Sequence, residues 1–264
     1  MKYCWIAGLL VLVAVQIRAQ GTLEGGVRGG GTLTHGHTIL PAQTLSPGLE
    51  MPRIRNTSNG IGVGYLGGVW IRKNFDRFFL QAELSFSSLM LKQKASIDRI
   101  DILAASEFGV NLPLTIPPKT LYASLNATSD PRINSFYIPV FIGKKGPGDL
   151  WRLYGGPYLM ITQQAEASRT ASGRVEPNAS IGFPGYTVTN IQDKVDLTNP
   201  DQAGMLQVKP LNFGVEFGAG MTFLKRLEVD LRYGLPVGGV FNERGITGFI
   251  GYATLAVGYK LISR

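Results

Sequence analysis

Past Ala19 the chain repeats one unit, an alternating apolar and polar stretch followed by a connection, and long and tight connections take turns. The long, polar connections are Thr34–Asn59, Gln93–Ile133, Gln164–Pro210 and Leu235–Thr247. The tight ones are Lys73–Arg77, Lys144–Leu150 and Leu224–Arg226. Long loops on one edge and short turns on the other mark an antiparallel up-and-down transmembrane barrel. In lipid such a sheet must close, because an open edge leaves backbone groups unpaired.

The alternation is strongest in four segments. Phe78–Met90 sets Leu80, Leu84 and Phe86 against Gln81, Glu83, Ser85 and Ser87. Leu211–Phe223 sets Phe213, Val215, Phe217 and Met221 against Asn212, Glu216 and three glycines. Leu227–Gly234 sets Leu227, Val229, Leu231 and Tyr233 against Glu228, Asp230 and Arg232. In the last segment Ala253, Leu255, Val257, Tyr259 and Leu261 oppose Thr254, Gly258 and Lys260. Gly60–Arg72 and Thr22–Leu33 follow the same rule more weakly. Asn134–Gly143 and Trp151–Gln163 are apolar on both faces, so their inward sides stay unassigned. The expectation is about eight strands, most near the ~9–11 residues that cross a bilayer at a tilt.

A soluble sandwich would produce the same alternation with its apolar face buried. The polar faces decide against it, since they mix glycine with acid and base rather than displaying a dense solvated surface. Small residues and charges suit a narrow lumen filled by side chains. The expected lumen charges are Glu24, Arg28, Arg72, Glu83, Glu216, Glu228, Asp230, Arg232 and Lys260. Five acids and four bases form a structural, self-neutralising ladder, because unpaired charge away from water is costly. Tyr65, Trp70, Phe78, Trp151, Tyr154, Phe223, Tyr233 and Tyr259 lie near strand ends and are expected in interfacial girdles.

The first residues carry one positive charge and lead into an apolar run, Cys4–Val15, before Ala19-Gln20. That is the layout of a secretory signal peptide, and the domain expectation is a leader over 1–19 and a barrel over 20–264. Cys4 is the one cysteine, so a cleaved chain has no disulfide, thiol or thiolate-zinc chemistry. The long connections sum to zero charge and the tight turns to +4, in Lys73, Arg77, Lys144, Lys145, Lys225 and Arg226. Such charges flank a membrane and meet anionic headgroups; they do not form the aromatic-interleaved basic face of a nucleic-acid binder.

No catalytic, cofactor-binding or metal-ligating set stands out. Gly62-Val63-Gly64-Tyr65-Leu66-Gly67 has the spacing of a dinucleotide loop but sits inside a strand with no helix after it. His35-Gly36-His37 reads as a pair in a polar loop with no further ligand beside it. Asn56, Asn126 and Asn178 begin N-x-S/T sequences in long loops. Ser96–Val110 has spacing for a short amphipathic helix or a strand extension, ended by Pro113, Pro117 and Pro118. Gly173–Tyr186 and Asp193–Asp201 read as mobile polar loop.

Tyr137-Ile138-Pro139-Val140, Gly155-Gly156-Pro157-Tyr158, the run Glu228–Leu235 and the closing Ala256–Leu261 resemble the PorT-like outer-membrane β-barrel family of Bacteroidetes-type bacteria. The resemblance implies an eight-stranded barrel inserted by the barrel-assembly machinery, and its namesake is associated with protein secretion. The expected function is a non-enzymatic outer-membrane protein, with termini in the periplasm, outer-membrane lipids around it and a protein partner at exposed loops. It needs no cofactor and binds no nucleic acid. The alternatives are a narrow channel through the charged lumen and a barrel enzyme acting on lipid.

Overall fold

The computed structural model describes residues 21–105, 120–177, 185–203, 206–243 and 245–264. The expected leader, Pro113, Pro117, Pro118 and Asn178 lie outside them. In chain order the strands are β1 (Leu23–Leu40), β2 (Gln43–Ser46), β3 (Leu49–Met51), β4 (Ile54–Ser58), β5 (Gly62–Asn74), β6 (Phe79–Met90) and β7 (Gln93–Asp101). They continue as β8 (Leu121–Lys145), β9 (Trp151–Pro177), β10 (Tyr186–Asp196), β11 (Leu211–Phe223), β12 (Leu227–Val237) and β13 (Thr247–Ser263).

Eight of these close a ring. Going round, β1, β5, β6, β8, β9, β11, β12 and β13 each pair antiparallel with the next, and β13 returns to β1. Gly31 of β1, for example, faces Tyr65 on one side and Leu255 on the other. No ring strand is left with an open edge in the apolar zone, which lipid requires. The β6–β8 ladder passes from Ala82↔Val140 to Ser85↔Tyr137 with Pro139 between, since proline has no N–H to offer. Two of the four stretches behind the family resemblance, Tyr137–Val140 and Gly155–Tyr158, face each other across β8 and β9, where Pro139 pairs with Tyr158.

The faces fall as the alternation predicts. Val63, Phe217, Leu231 and Leu255 stand outward and more than half exposed, a belt that only lipid would solvate favourably. Two girdle assignments are corrected. Trp70 and Tyr154 are buried inside the barrel, because each falls on the inward parity of its strand, and Trp70 packs over Arg72. The unassigned segments resolve with Tyr137 and Phe141 inward on β8, and Arg152, Tyr154, Tyr158 and Met160 inward on β9.

The larger correction concerns the long connections. β1 continues to Leu40, while β8 and β9 run for 25 and 27 residues, so the wall rises past the apolar belt. β4 pairs with β1 and β7, β7 with β8, and β10 with β9. Asn56 and Asn126 therefore lie on strands, β4 and β8, and Gly173–Pro177 and Asp193–Asp196 are strand rather than loop. Ser96–Asp101 is strand extension, followed by one helical turn, Ile102–Ala105.

This raised lobe has apolar cores of its own. Leu40, Met51, Ile54, Ile97, Ile100 and Leu125 pack with the β2–β3 hairpin folded inside the wall. Ala165, Ala167, Val195, Leu197, Val208 and Phe241 form a second core, tied by the bridge Val208↔Phe241. Small residues such as Ala123, Ala127, Ala165 and Ala167 carry the alternation here, so its amplitude is low and composition alone makes it read as loop.

Candidate functional site

The lumen at the tight-turn end is filled by charge. All nine expected residues are there, and each is buried. In-register pairing places them: Glu24 faces Arg72 across β1 and β5. Asp230 and Arg232 face Gly220 and Gly218 of β11, which leave room for side chains. A Cβ on Gly220 would lie 2.2 Å from Asp230 Oδ1.

The network is continuous. Arg72 grips Glu228 with both Nη atoms, at 2.8 and 2.9 Å, reaches Glu24 at 3.1 Å, and donates from Nε to Gln81 at 2.6 Å. Arg232 grips Glu83 the same way, at 3.0 and 2.7 Å. Arg28 contacts Glu83 and donates to Asp230 at 2.6 Å. Tyr154 donates to Asp230 at 2.7 Å and accepts from Arg232 Nε at 3.0 Å. Such two-pronged contacts are the strong form of the arginine–carboxylate bond. At the mouth Glu24 meets Lys260, and Lys145 at 3.1 Å. At the other end Glu216 is 3.8 Å from Arg232.

Sequence reasoning missed Arg152. It donates to both oxygens of Asp230 at 2.8 Å and lies 2.9 Å from Glu228. The clue was parity: Arg152, Tyr154, Tyr158 and Met160 share it, but the run has no polar face to announce it. With Arg152 the five lumen acids are matched in number by five buried bases, Lys145 at the mouth aside.

Above the charges, Tyr137, Tyr158 and Tyr252 pack ring to ring at 5.1, 5.9 and 6.5 Å. Over them lies a small apolar cavity of about 40 Å³, lined by Leu89, Met160, Val240, Phe241 and Ile250 among others. In the lobe a cleft of about 130 Å³ opens between the two apolar cores, with Asn56, Gln93, Ser129 and Arg169 beside Leu40, Met51 and Leu206. Of these lining residues, Gln93 and Asn56 both donate to the Thr38 hydroxyl at 3.1 Å.

The chain's two histidines, His35 and His37, are not in a loop. They lie on β1, exposed on the outer wall and facing away from the lumen acids. Among the described residues no three His, Cys, Asp or Glu side chains converge as a metal group.

Solved barrels are similar in fold at low identity. Ail, the attachment invasion locus protein of Yersinia pestis, solved with the heparin analogue sucrose octasulfate, is 8% identical with a TM-score of 0.36, over 92% of this chain and 100% of that one. The outer membrane protease OmpT of Escherichia coli is 8% identical with a TM-score of 0.36, over 93% and 99%. Neisserial surface protein A is 11% identical with a TM-score of 0.29, over 91% and 98%. No curated protein matches. The family model described as "Outer membrane protein beta-barrel domain" matches residues 17–242. With a closed ring, a lipid-facing belt and that match, the chain belongs to the outer membrane protein beta-barrel domain family.

Proposed function

We propose that this outer-membrane barrel is a non-enzymatic anchor, and that the raised lobe is its working surface, engaging a protein partner outside the cell. The observation that carries this reading is the contrast between the two ends of the wall. The lumen is packed by ion pairs and a tyrosine layer, while the lobe is folded around its own apolar cores and opens a cleft between them. Rigid scaffolds present binding surfaces in this way. In this reading residues 1–19 are a cleaved leader and the barrel-assembly machinery inserts the chain. The positive tight turns and both termini lie in the periplasm, and outer-membrane lipids cover the belt. A link to protein secretion rests on the PorT-like resemblance alone.

The charged lumen favours a second reading, a narrow channel. Recordings in planar bilayers separate the two. The anchor predicts no steady conductance; a steady current lost on Glu228→Gln or Arg232→Ala replaces it with the channel. A lipid-acting enzyme built on a histidine–nucleophile pair finds no support in His35, whose hydrogen bond goes to Tyr233. Phospholipid hydrolysis by purified protein, abolished by one Ser or His substitution, would establish that enzyme instead.

A further inference from the structure

We propose that His35 and His37, with Tyr233 behind them, form a binding site for a divalent transition-metal ion, Cu²⁺ foremost, on the outer wall at the rim of the apolar belt. As a loop pair the two histidines would carry little. On β1 they are two residues apart on one face, and successive same-face positions on a strand are about 6.7 Å apart. Two imidazole rings can close that gap onto one ion at metal–nitrogen distances of about 2.0–2.1 Å.

The surroundings hold one ring in place. Tyr233 of β12 reaches across β13 to His35, its hydroxyl 2.9 Å from Nε2 and its ring stacked at 6.0 Å. It crosses over Gly251, the residue of β13 that faces His35. A Cβ at Gly251 would lie 2.3 Å from the Tyr233 oxygen, so an alanine there would push the phenol off the histidine. Phe249, paired in register with His37, also packs on His35, its ring centroid 5.7 Å away.

With Nε2 protonated and donating to Tyr233, His35 keeps the lone pair of Nδ1 for a ligand. A metal-bound histidine commonly gives its other N–H to an acceptor in this way. His37 has no hydrogen-bond partner among the described residues and supplies the second nitrogen. Both donate lone pairs, no electron is transferred, and water completes the coordination. Two imidazoles without thiolate suit copper, nickel and zinc, and copper is held tightest in the general order of affinities. The site lies two residues beyond Leu33, which is outward and half exposed, so the ion would sit where the lipid belt meets water.

The test uses the full barrel, expressed without a polyhistidine tag and folded in detergent, titrated with CuCl₂ and followed by calorimetry and electron paramagnetic resonance. The expected result is one saturable ion per barrel with two nitrogen ligands. His35→Asn and His37→Asn should each weaken binding at least tenfold and remove one nitrogen. Tyr233→Phe and Gly251→Ala should weaken it about tenfold while keeping both nitrogens, the size of effect typical of an orienting group. Absence of saturable binding, or equal binding by the doubly substituted barrel, overturns the site. If a variant does not fold, the wild-type barrel decides: Cu²⁺ should protect both histidines from diethyl pyrocarbonate, and unprotected histidines refute the proposal.

Discussion

Arg72 and Glu228, 156 residues apart in sequence, meet as a two-pronged ion pair across the lumen, joining β5 to β12 with both nitrogen–oxygen distances under 3 Å. Neither side chain has more than 1% of its surface exposed. A pair held this far from water contributes through closure of the network rather than through its Coulomb energy, because desolvation offsets much of the attraction.

Removing one partner should therefore cost more than removing both. Arg72→Leu or Glu228→Leu strands a buried charge and should destabilise the barrel by about 3–5 kcal/mol. The double variant keeps the lumen neutral and should recover a large part of that loss. Urea unfolding in lipid vesicles, followed by heat-modifiable gel mobility, measures all three. Additive single losses would mean that the two residues do not act as a unit.

Trp70 and Trp151 test the corrected girdle. Trp70 is 4% exposed and lies 4.7 Å from the Arg72 guanidinium, whereas Trp151 is 42% exposed on the outer wall. In vesicles of brominated lipid, Trp70→Phe protein should lose most of its remaining fluorescence. Trp151→Phe protein should keep it. Equal quenching would place Trp70 in the lipid.

The β11–β12 turn stores strain at two positions. Leu224 and Lys225 have φ of +50° and +62°, both in the left-handed conformation, in the turn Leu224–Arg226, where the Arg226 N–H donates back to the Phe223 carbonyl. Asparagine and glycine adopt that conformation readily, and a side chain such as leucine does so at a cost of order 1–3 kcal/mol. Leu224→Asn with Lys225→Gly should raise stability by about 1 kcal/mol, read as a higher urea midpoint with an unchanged slope.

The lobe and the barrel should unfold separately. Ile100 is 1% exposed within the core behind the β2–β3 hairpin, and Ile100→Ala should cost about 2–5 kcal/mol there. Limited proteolysis should then cleave the lobe faster while the heat-modifiable shift of the barrel persists. Loss of that shift would show one cooperative unit instead.

The parts legible in the sequence share a physical origin. A strand's side chains alternate with a period of two, so Leu227–Gly234 alone tells which residues face lipid and which face the lumen. The nine lumen charges follow from that parity. The lobe was hidden because alanine and threonine carry the same alternation at low contrast, as in Leu121–Thr128, and because no local signal says that a polar connection will pair with its neighbours. Arg152 was hidden because the residues flanking it are apolar on both faces.

By itself the sequence determined the class of fold, the number of ring strands, the lipid-facing belt and the edge that carries positive charge. These depend on period-two patterning and turn length, which are local. Only the tertiary structure decided that Arg72 meets Glu228, that Arg152 balances the lumen, that the long connections build a cored lobe, and that His35 stands against Tyr233 on the outer wall. Each of these depends on register between strands far apart in the chain. Register is set by the closing of the whole ring, which no single segment encodes.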